Sequence, residues 1–182
     1  GYAIASAIKH VPVAGRDVTG FIQQLLRDRG NTGVGPEESL EAARKIKEME
    51  CYVCPDLAKE FLKFEPRPFS WKSQITGRTV KFEVGPERFL GPEVFFSPEM
   101  VSADFSTPLP TLIDSVVQAC PIDARRDLYK NIVLSGGSTL FKDFGKRVQR
   151  DIRALVDERL PLTQESSKPA VNVVTHEKQR YA

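Results

Sequence analysis

The run Ile132-Val133-Leu134-Ser135, then Gly136-Gly137, then apolar residues at Leu140, Phe141, Phe144, Val148, Ile152, Leu155 and Val156, constrains the fold more than any other stretch. Ile132 to Ser135 predict a short buried strand. The spacing after the glycines predicts an amphipathic helix of about five turns, opened by Ser138 and Thr139. Strand, tight turn and long helix form half of a β–α–β unit, so the chain holds an α/β layer. The glycine pair has two readings. A tight strand-to-helix connection needs residues without a Cβ for steric reasons alone. The same turn also lets a ligand approach the backbone, where the N–H groups of a helix start attract anions or polar ligand edges.

At 182 residues, 41% hydrophobic and 27% charged, the chain has room for one domain or two small ones and for a buried core. Its 26 basic and 24 acidic residues nearly cancel to a formal charge of +2. That balance supplies no long-range field to gather nucleic acid or an anionic membrane, so no nucleic-acid partner is expected. No apolar run approaches the length of a membrane helix, and a soluble cytoplasmic protein without membrane insertion is expected. Both ends, Gly1-Tyr2 and Arg180-Tyr181-Ala182, read as cut through structure, as in a piece of something larger. Cys51 and Cys54 match C-x-x-C but follow a helical pattern rather than opening one, which favours buried free thiols over a redox pair. With Cys120, His10 and His176 unpaired in spacing, no metal site is expected.

Along the chain, Tyr2 to Val13 predicts a β-hairpin or two short strands. Asp17 is a candidate N-cap for a helix carrying Phe21, Ile22, Leu25 and Leu26 and ending near Gly30. A second helix is expected over Glu37 to Glu50, with Leu40, Ala43, Ile46 and Cys51 inward, and a third over Asp56 to Phe64. Phe69 to Ile75 and Thr79 to Val84 flank Thr76-Gly77-Arg78 as a hairpin. Arg88 to Pro98 predicts short turns. Helices are expected over Leu109 to Ala119 and Asp123 to Tyr129, and a return to β over Val171 to Thr175. The alternation predicts an α/β domain of residues 1–15 and 104–182, carrying an inserted α+β subdomain of residues 16–103.

Several of these words match one family. Asn131 to Arg150 resembles the adenosine-binding segment of the actin superfamily. Ala14-Gly15-Arg16-Asp17-Val18-Thr19 resembles the actin turn that opens the inserted subdomain, and Arg44 to Glu48 with Cys51-Tyr52-Val53 resembles the helix that reaches the nucleotide. Glu87-Arg88-Phe89 with Pro92-Glu93, and Asp123 to Tyr129, fall where actins carry similar words. Pro86 departs from the usual polar or aromatic residue there. Details at Phe21 to Leu26, Cys54-Pro55-Asp56, Phe89 to Glu93 and Phe141 to Phe144, with a longer Leu160 to Val171 loop, resemble an actin-related branch rather than conventional actin. Other ATPases of the superfold, a sugar kinase or a chaperone ATPase, share the glycine turn but not these words.

The resemblance implies an α/β, actin-like ATPase (ribonuclease H-like) half-domain with ATP as its ligand. Gly136 and Gly137 would lie under the ribose and α-phosphate, with Ser138 beside them. Glu48 would accept from the ribose, Lys47 would sit beside the base, and Arg44 would share that face. Phe141 is read either as a core residue or as an aromatic near the adenine, and Arg180 would close over the adenine. The Asp-x-Gly phosphate loops and the water-positioning residues of the family have no counterpart in a matching context. Mg²⁺ would thus be held mainly by residues outside this chain, no catalytic residue is expected within it, and it should not hydrolyse ATP alone. The implied partners are actin, nucleation-promoting factors and the other subunits of a filament-branching complex at the actin cytoskeleton.

Overall fold

In the computed structural model, residues 2–30, 33–160 and 168–175 are described, and they form an α/β arrangement. The first half holds α1 (Gly15–Arg29), α2 (Ser39–Met49), α3 (Leu57–Lys63), the strands β1 (Arg67–Lys72) and β2 (Thr79–Val84), and α4 (Glu87–Glu93). The second half holds α5 (Leu109–Ala119), α6 (Ile122–Lys130), β3 (Ile132–Val133), α7 (Phe144–Arg159) and β4 (Val173–Val174).

Residues Val18, Ile22 and Leu26 recur at i, i+4 and i+8 on α1 and are buried against Ala42, Ala43 and Ile46 of α2. Leu40, expected inward, is exposed, because the small Ala42 and Ala43 bring the two helices together on a different line. Asp17 sits inside the first turn of α1, and its carboxylate accepts the Ala14 N–H at 2.8 Å. Helix α3 is capped by Asp56, whose Oδ1 accepts from Lys59 N at 3.1 Å. Strands β1 and β2 pair antiparallel, Arg67 opposite Val84 through Lys72 opposite Thr79. Phe69, Trp71 and Phe82 cluster on that hairpin with ring centroids 5.7–5.8 Å apart.

Two expectations fail here. Residues 2–13 form no strand; Ala5–Ala7 make a 3-10 turn packed near α5. Alanine side chains offer little area for a pleated face, and Pro12 has no N–H for a ladder. The stretch expected as turns contains α4, all seven residues of which are buried. Its helical period is invisible in sequence because every side of it is covered.

Strands β3 and β4 pair in parallel, Ile132 with Val173 and Val133 with Val174, and α7 makes the crossover between them. Phe144, Val148, Ile152 and Val156 line one stripe of α7, and burying each contributes about 1.5–3 kcal/mol. Phe144 meets Phe95 and Phe96, both at 5.6 Å, which joins α7 to the loop after α4. Arg147 reinforces that joint: it donates to Cys54 O at 2.6 Å, pairs with Glu93 at 3.2 Å and lies 4.7 Å from the Phe96 ring centre.

A candidate nucleoside cleft

Helix α2 buries Ala42, Ala43 and Ile46 against α1, so Arg44, Lys47 and Glu48 emerge on its other side. Arg44 Nε pairs with Glu48 Oε1 at 3.1 Å, an i, i+4 ion pair along the helix. Lys47 has no carboxylate partner among the described residues. Its ammonium donates instead to Gly15 O at 3.0 Å and to Thr19 Oγ1 at 2.9 Å. Thr19 Oγ1 in turn donates to Gly15 O at 2.9 Å. Two of the three Nζ–H donors are thereby fixed and one is left over. Burial pulls the Lys47 pKa below the ordinary lysine value, and the nearby Glu48 carboxylate opposes the shift.

The turn after β3 differs from the expected helix start. Gly136 has φ +104°, a conformation that only glycine adopts readily. Its carbonyl accepts from Thr139 N at 3.2 Å and Thr139 Oγ1 at 2.8 Å, which closes a 3-10 turn over Gly137–Leu140. The chain then leaves helical geometry at Phe141, passes through Asp143 at φ +64°, and enters α7 at Phe144. Ser138 and Thr139 therefore belong to a separate short turn and do not open the long helix. Left-handed backbone at Asp143 cannot continue a right-handed helix, which is why the apolar period of Leu140 and Phe141 misled.

These pieces enclose one cavity of about 330 Å³. Arg44, Lys47 and Glu48 line it from α2, and Gly137, Ser138 and Phe141 line it from the turn. A Cβ on Gly136 or Gly137 would meet no protein atom, so Gly136 is set by its backbone angles and Gly137 opens onto free space. Gly136 stands one residue behind the lining, and Arg180 lies outside the described residues. Gly15, Cys51 and Leu140 complete the wall. Gly15 was read as part of the turn that opens the inserted subdomain and not as a cleft residue, yet a Cβ there would stand 3.2 Å from Ser138 Oγ and 3.6 Å from Lys47 Nζ. Thr19, the anchor of Lys47, was likewise missed; its one signal is its place four residues after Gly15, on the same face. Val53 N donates to Lys142 O at 2.9 Å, and this strand-like link ties the end of α2 to the Phe141 side.

The volume lies at the small end of ligand pockets, which span roughly 300–1,000 Å³. Its chemistry is one fixed cation with a spare donor, the Arg44–Glu48 ion pair, a hydroxyl, an aromatic ring and a bare glycine backbone. That set suits a flat polar ring with vicinal hydroxyls. The Asp-x-Gly triplets of the chain sit elsewhere: Asp28-Arg29-Gly30 ends α1, and Asp143-Phe144-Gly145 opens α7 with Asp143 tied to Lys146 at 2.7 Å. Among the described residues, no group of three or more His, Cys, Asp or Glu gathers to hold a metal, and no helix is long and apolar enough to cross a membrane.

The actin family model matches residues 38–182 of this sequence. The chain belongs to the actin family. It is 51% identical to actin-related protein 3 of Dictyostelium discoideum and 54% identical to actin-related protein 3 of Drosophila melanogaster. Each match covers 100% of this chain and 46% of the relative, so the chain spans about half the length of these relatives. The α/β architecture is that of an actin-like half-domain.

Proposed function

We propose that this chain supplies the nucleoside-binding wall of the ATP cleft in an actin-related protein that nucleates branched actin filaments. The observation that carries the reading is the single cavity joining Arg44, Lys47 and Glu48 of α2 to Gly137, Ser138 and Phe141 of the turn, residues far apart in sequence. In this reading the spare Lys47 donor faces the base, Glu48 accepts from the ribose hydroxyls, and Phe141 packs on the adenine. Gly136 and Gly137 leave room for the ribose and α-phosphate, and Arg180 closes over the base. ATP brings its Mg²⁺ to residues outside this chain. Residues 1–15 with 104–182, and 16–103, act as two subdomains whose joint sits beside the nucleotide. The whole protein would bind and slowly hydrolyse ATP, while this chain alone lacks the clamps that phosphoryl transfer needs.

Nucleotide would act by favouring one arrangement of the protein over another. The favoured arrangement would be recognised by the other subunits of the actin-related protein 2/3 complex, by nucleation-promoting factors and by actin itself, in the cytoplasm at the actin cytoskeleton. Support for that assembly comes from similarity to proteins named actin-related protein 3. A pull-down with the full-length protein tests it: absence of the branching-complex subunits would reject the assembly role.

For the site, the test is a nuclear magnetic resonance titration of the isotope-labelled chain with adenosine and, separately, with Mg-ATP. The expected result is weak binding of both, with matched shifts at Lys47, Gly137, Ser138 and Phe141. Tight, Mg²⁺-dependent binding of ATP would contradict the division of labour, and unmoved cleft residues would reject the site.

A further inference from the structure

Arg88 is an anomaly outside the nucleoside cleft. It lies on α4, its side chain is only 8% exposed, and its buried Nε donates to no acceptor among the described residues. Its ion-pair partner, Glu50, stands 3.6 Å away, beyond hydrogen-bond distance. The guanidinium is nevertheless held firmly. It lies 5.2 Å from the centre of the Tyr52 ring, and the Arg88 carbonyl accepts from Tyr52 N at 3.0 Å. A guanidinium carries five donors in a planar fork, and buried donors of that strength are rarely left without an acceptor.

Arg88 lines a cavity of about 510 Å³ between the end of α2, α3 and the segment before α7. Arg67 and Lys142 bring two further cationic side chains to its wall, neither with a carboxylate in ion-pair range among the described residues. Lys63 lines it too but pairs with Glu60 at 3.3 Å, and Glu60 also accepts the Tyr52 hydroxyl at 2.7 Å. Glu60 is thus already engaged, and Glu50 is the ion-pair partner of Arg88, which leaves Glu65 as the remaining acidic group on a wall that also carries Arg67 and Lys142. Cys51 borders this cavity and the nucleoside cleft alike, yet the two have separate polar groups.

We infer that this cavity is an oxyanion site, in which the Arg88 fork receives a phosphate or carboxylate group and Arg67 and Lys142 supply the remaining positive charge. The geometry favours a group that presents two oxygens side by side, as phosphate and carboxylate both do, because arginine binds such groups through two parallel N–H bonds while lysine acts as a point charge. Glu50 is then a competitor that occupies the approach to the fork when no anion is bound. This inference does not depend on the nucleoside reading.

The test is titration of the labelled chain with sodium phosphate and with sodium acetate at constant ionic strength set by chloride, observing the Arg88 Nε–H and the Tyr52 amide. Saturable shifts at both are expected. Saturation by phosphate alone assigns a phosphate ligand, and by acetate alone a carboxylate. Arg88→Lys should weaken binding about tenfold by losing the fork. Glu50→Gln should tighten it several-fold, and Lys142→Ala should weaken it several-fold. Should Arg88→Lys fail to fold, the Glu50 and Lys142 variants decide. Shifts that stay linear with both anions, or variants that titrate like the parent, overturn the inference.

Discussion

Replacing Arg147 with alanine should destabilise the protein more than any surface charge change. Its side chain is 14% exposed, and it faces Glu93, which is 3% exposed, at 3.2 Å. It also pairs with Asp151 at 2.7 Å, donates to Cys54 O at 2.6 Å and covers the Phe96 ring. Removing one member of a buried ion pair leaves an uncompensated charge and costs about 3–5 kcal/mol. With a urea slope of about 2 kcal/mol/M, a loss near 4 kcal/mol lowers the unfolding midpoint by about 2 M. The pH dependence supplies a second signature. Burial raises the Glu93 pKa above the ordinary glutamate value, and Arg147 pulls it back down. Without Arg147 the folded value rises further. A carboxyl that holds its proton more tightly when folded costs stability as pH rises from its unfolded towards its folded pKa. The deficit of the variant should therefore be full at pH 7 and shrink as the solution is acidified towards the ordinary glutamate value. Adding Glu93→Gln to Arg147→Ala should recover about 1–2 kcal/mol, since no buried charge then remains unpaired. Urea unfolding followed by circular dichroism reads all three quantities. A loss below about 1 kcal/mol, unchanged by acid or by the second substitution, would refute the reasoning.

The two cleft glycines should behave oppositely. Gly136→Ala should cost about 1–3 kcal/mol through strain at φ +104°, whereas Gly137→Ala should leave the melting temperature almost unchanged and weaken adenosine binding, as calorimetry and titration would show. Gly145→Ala drives a Cβ into the Thr175 methyl, and overpacking of that kind should lower stability by about 1–3 kcal/mol in urea. Burial raises the Cys54 thiol to about 11 and pushes Cys51 higher still. Cys54, fully buried, should resist a thiol reagent at pH 8 until the chain unfolds, while half-buried Cys51 on the cleft wall should react slowly because its thiolate is scarce. Fast modification of Cys54 in the folded chain would contradict its burial.

Elements with a clear period and clean ends were legible in the sequence. Helix α5 runs from Leu109 to Ala119 as expected, and the hairpin turns about Gly77 at φ +71°. What escaped was burial on all sides and backbone of unusual hand. Helix α4 has no exposed face to mark its phase, since even Glu87, Arg88 and Glu93 are buried, and Pro92 inside it reads as a breaker. Asp143 at φ +64° splits a continuous apolar pattern into a 3-10 turn and a helix, which no periodicity can register. The site divides the same way. Spacing placed Arg44, Lys47 and Glu48 on one helix face. Their meeting with Gly137, Ser138 and Phe141 is a tertiary fact that only family resemblance anticipated. Gly15 and Thr19 escaped because a backbone carbonyl and a helix-packed hydroxyl carry no chemical signature in sequence.

The central claim is that the α2 face and the glycine turn hold a nucleoside between them. Intermolecular nuclear Overhauser contacts between adenosine and the labelled chain test it most directly. The account predicts contacts from the base and ribose protons to Phe141 and Lys47 together, with Ser138 beside them. Contacts confined to other surfaces, or none at millimolar adenosine, would contradict it.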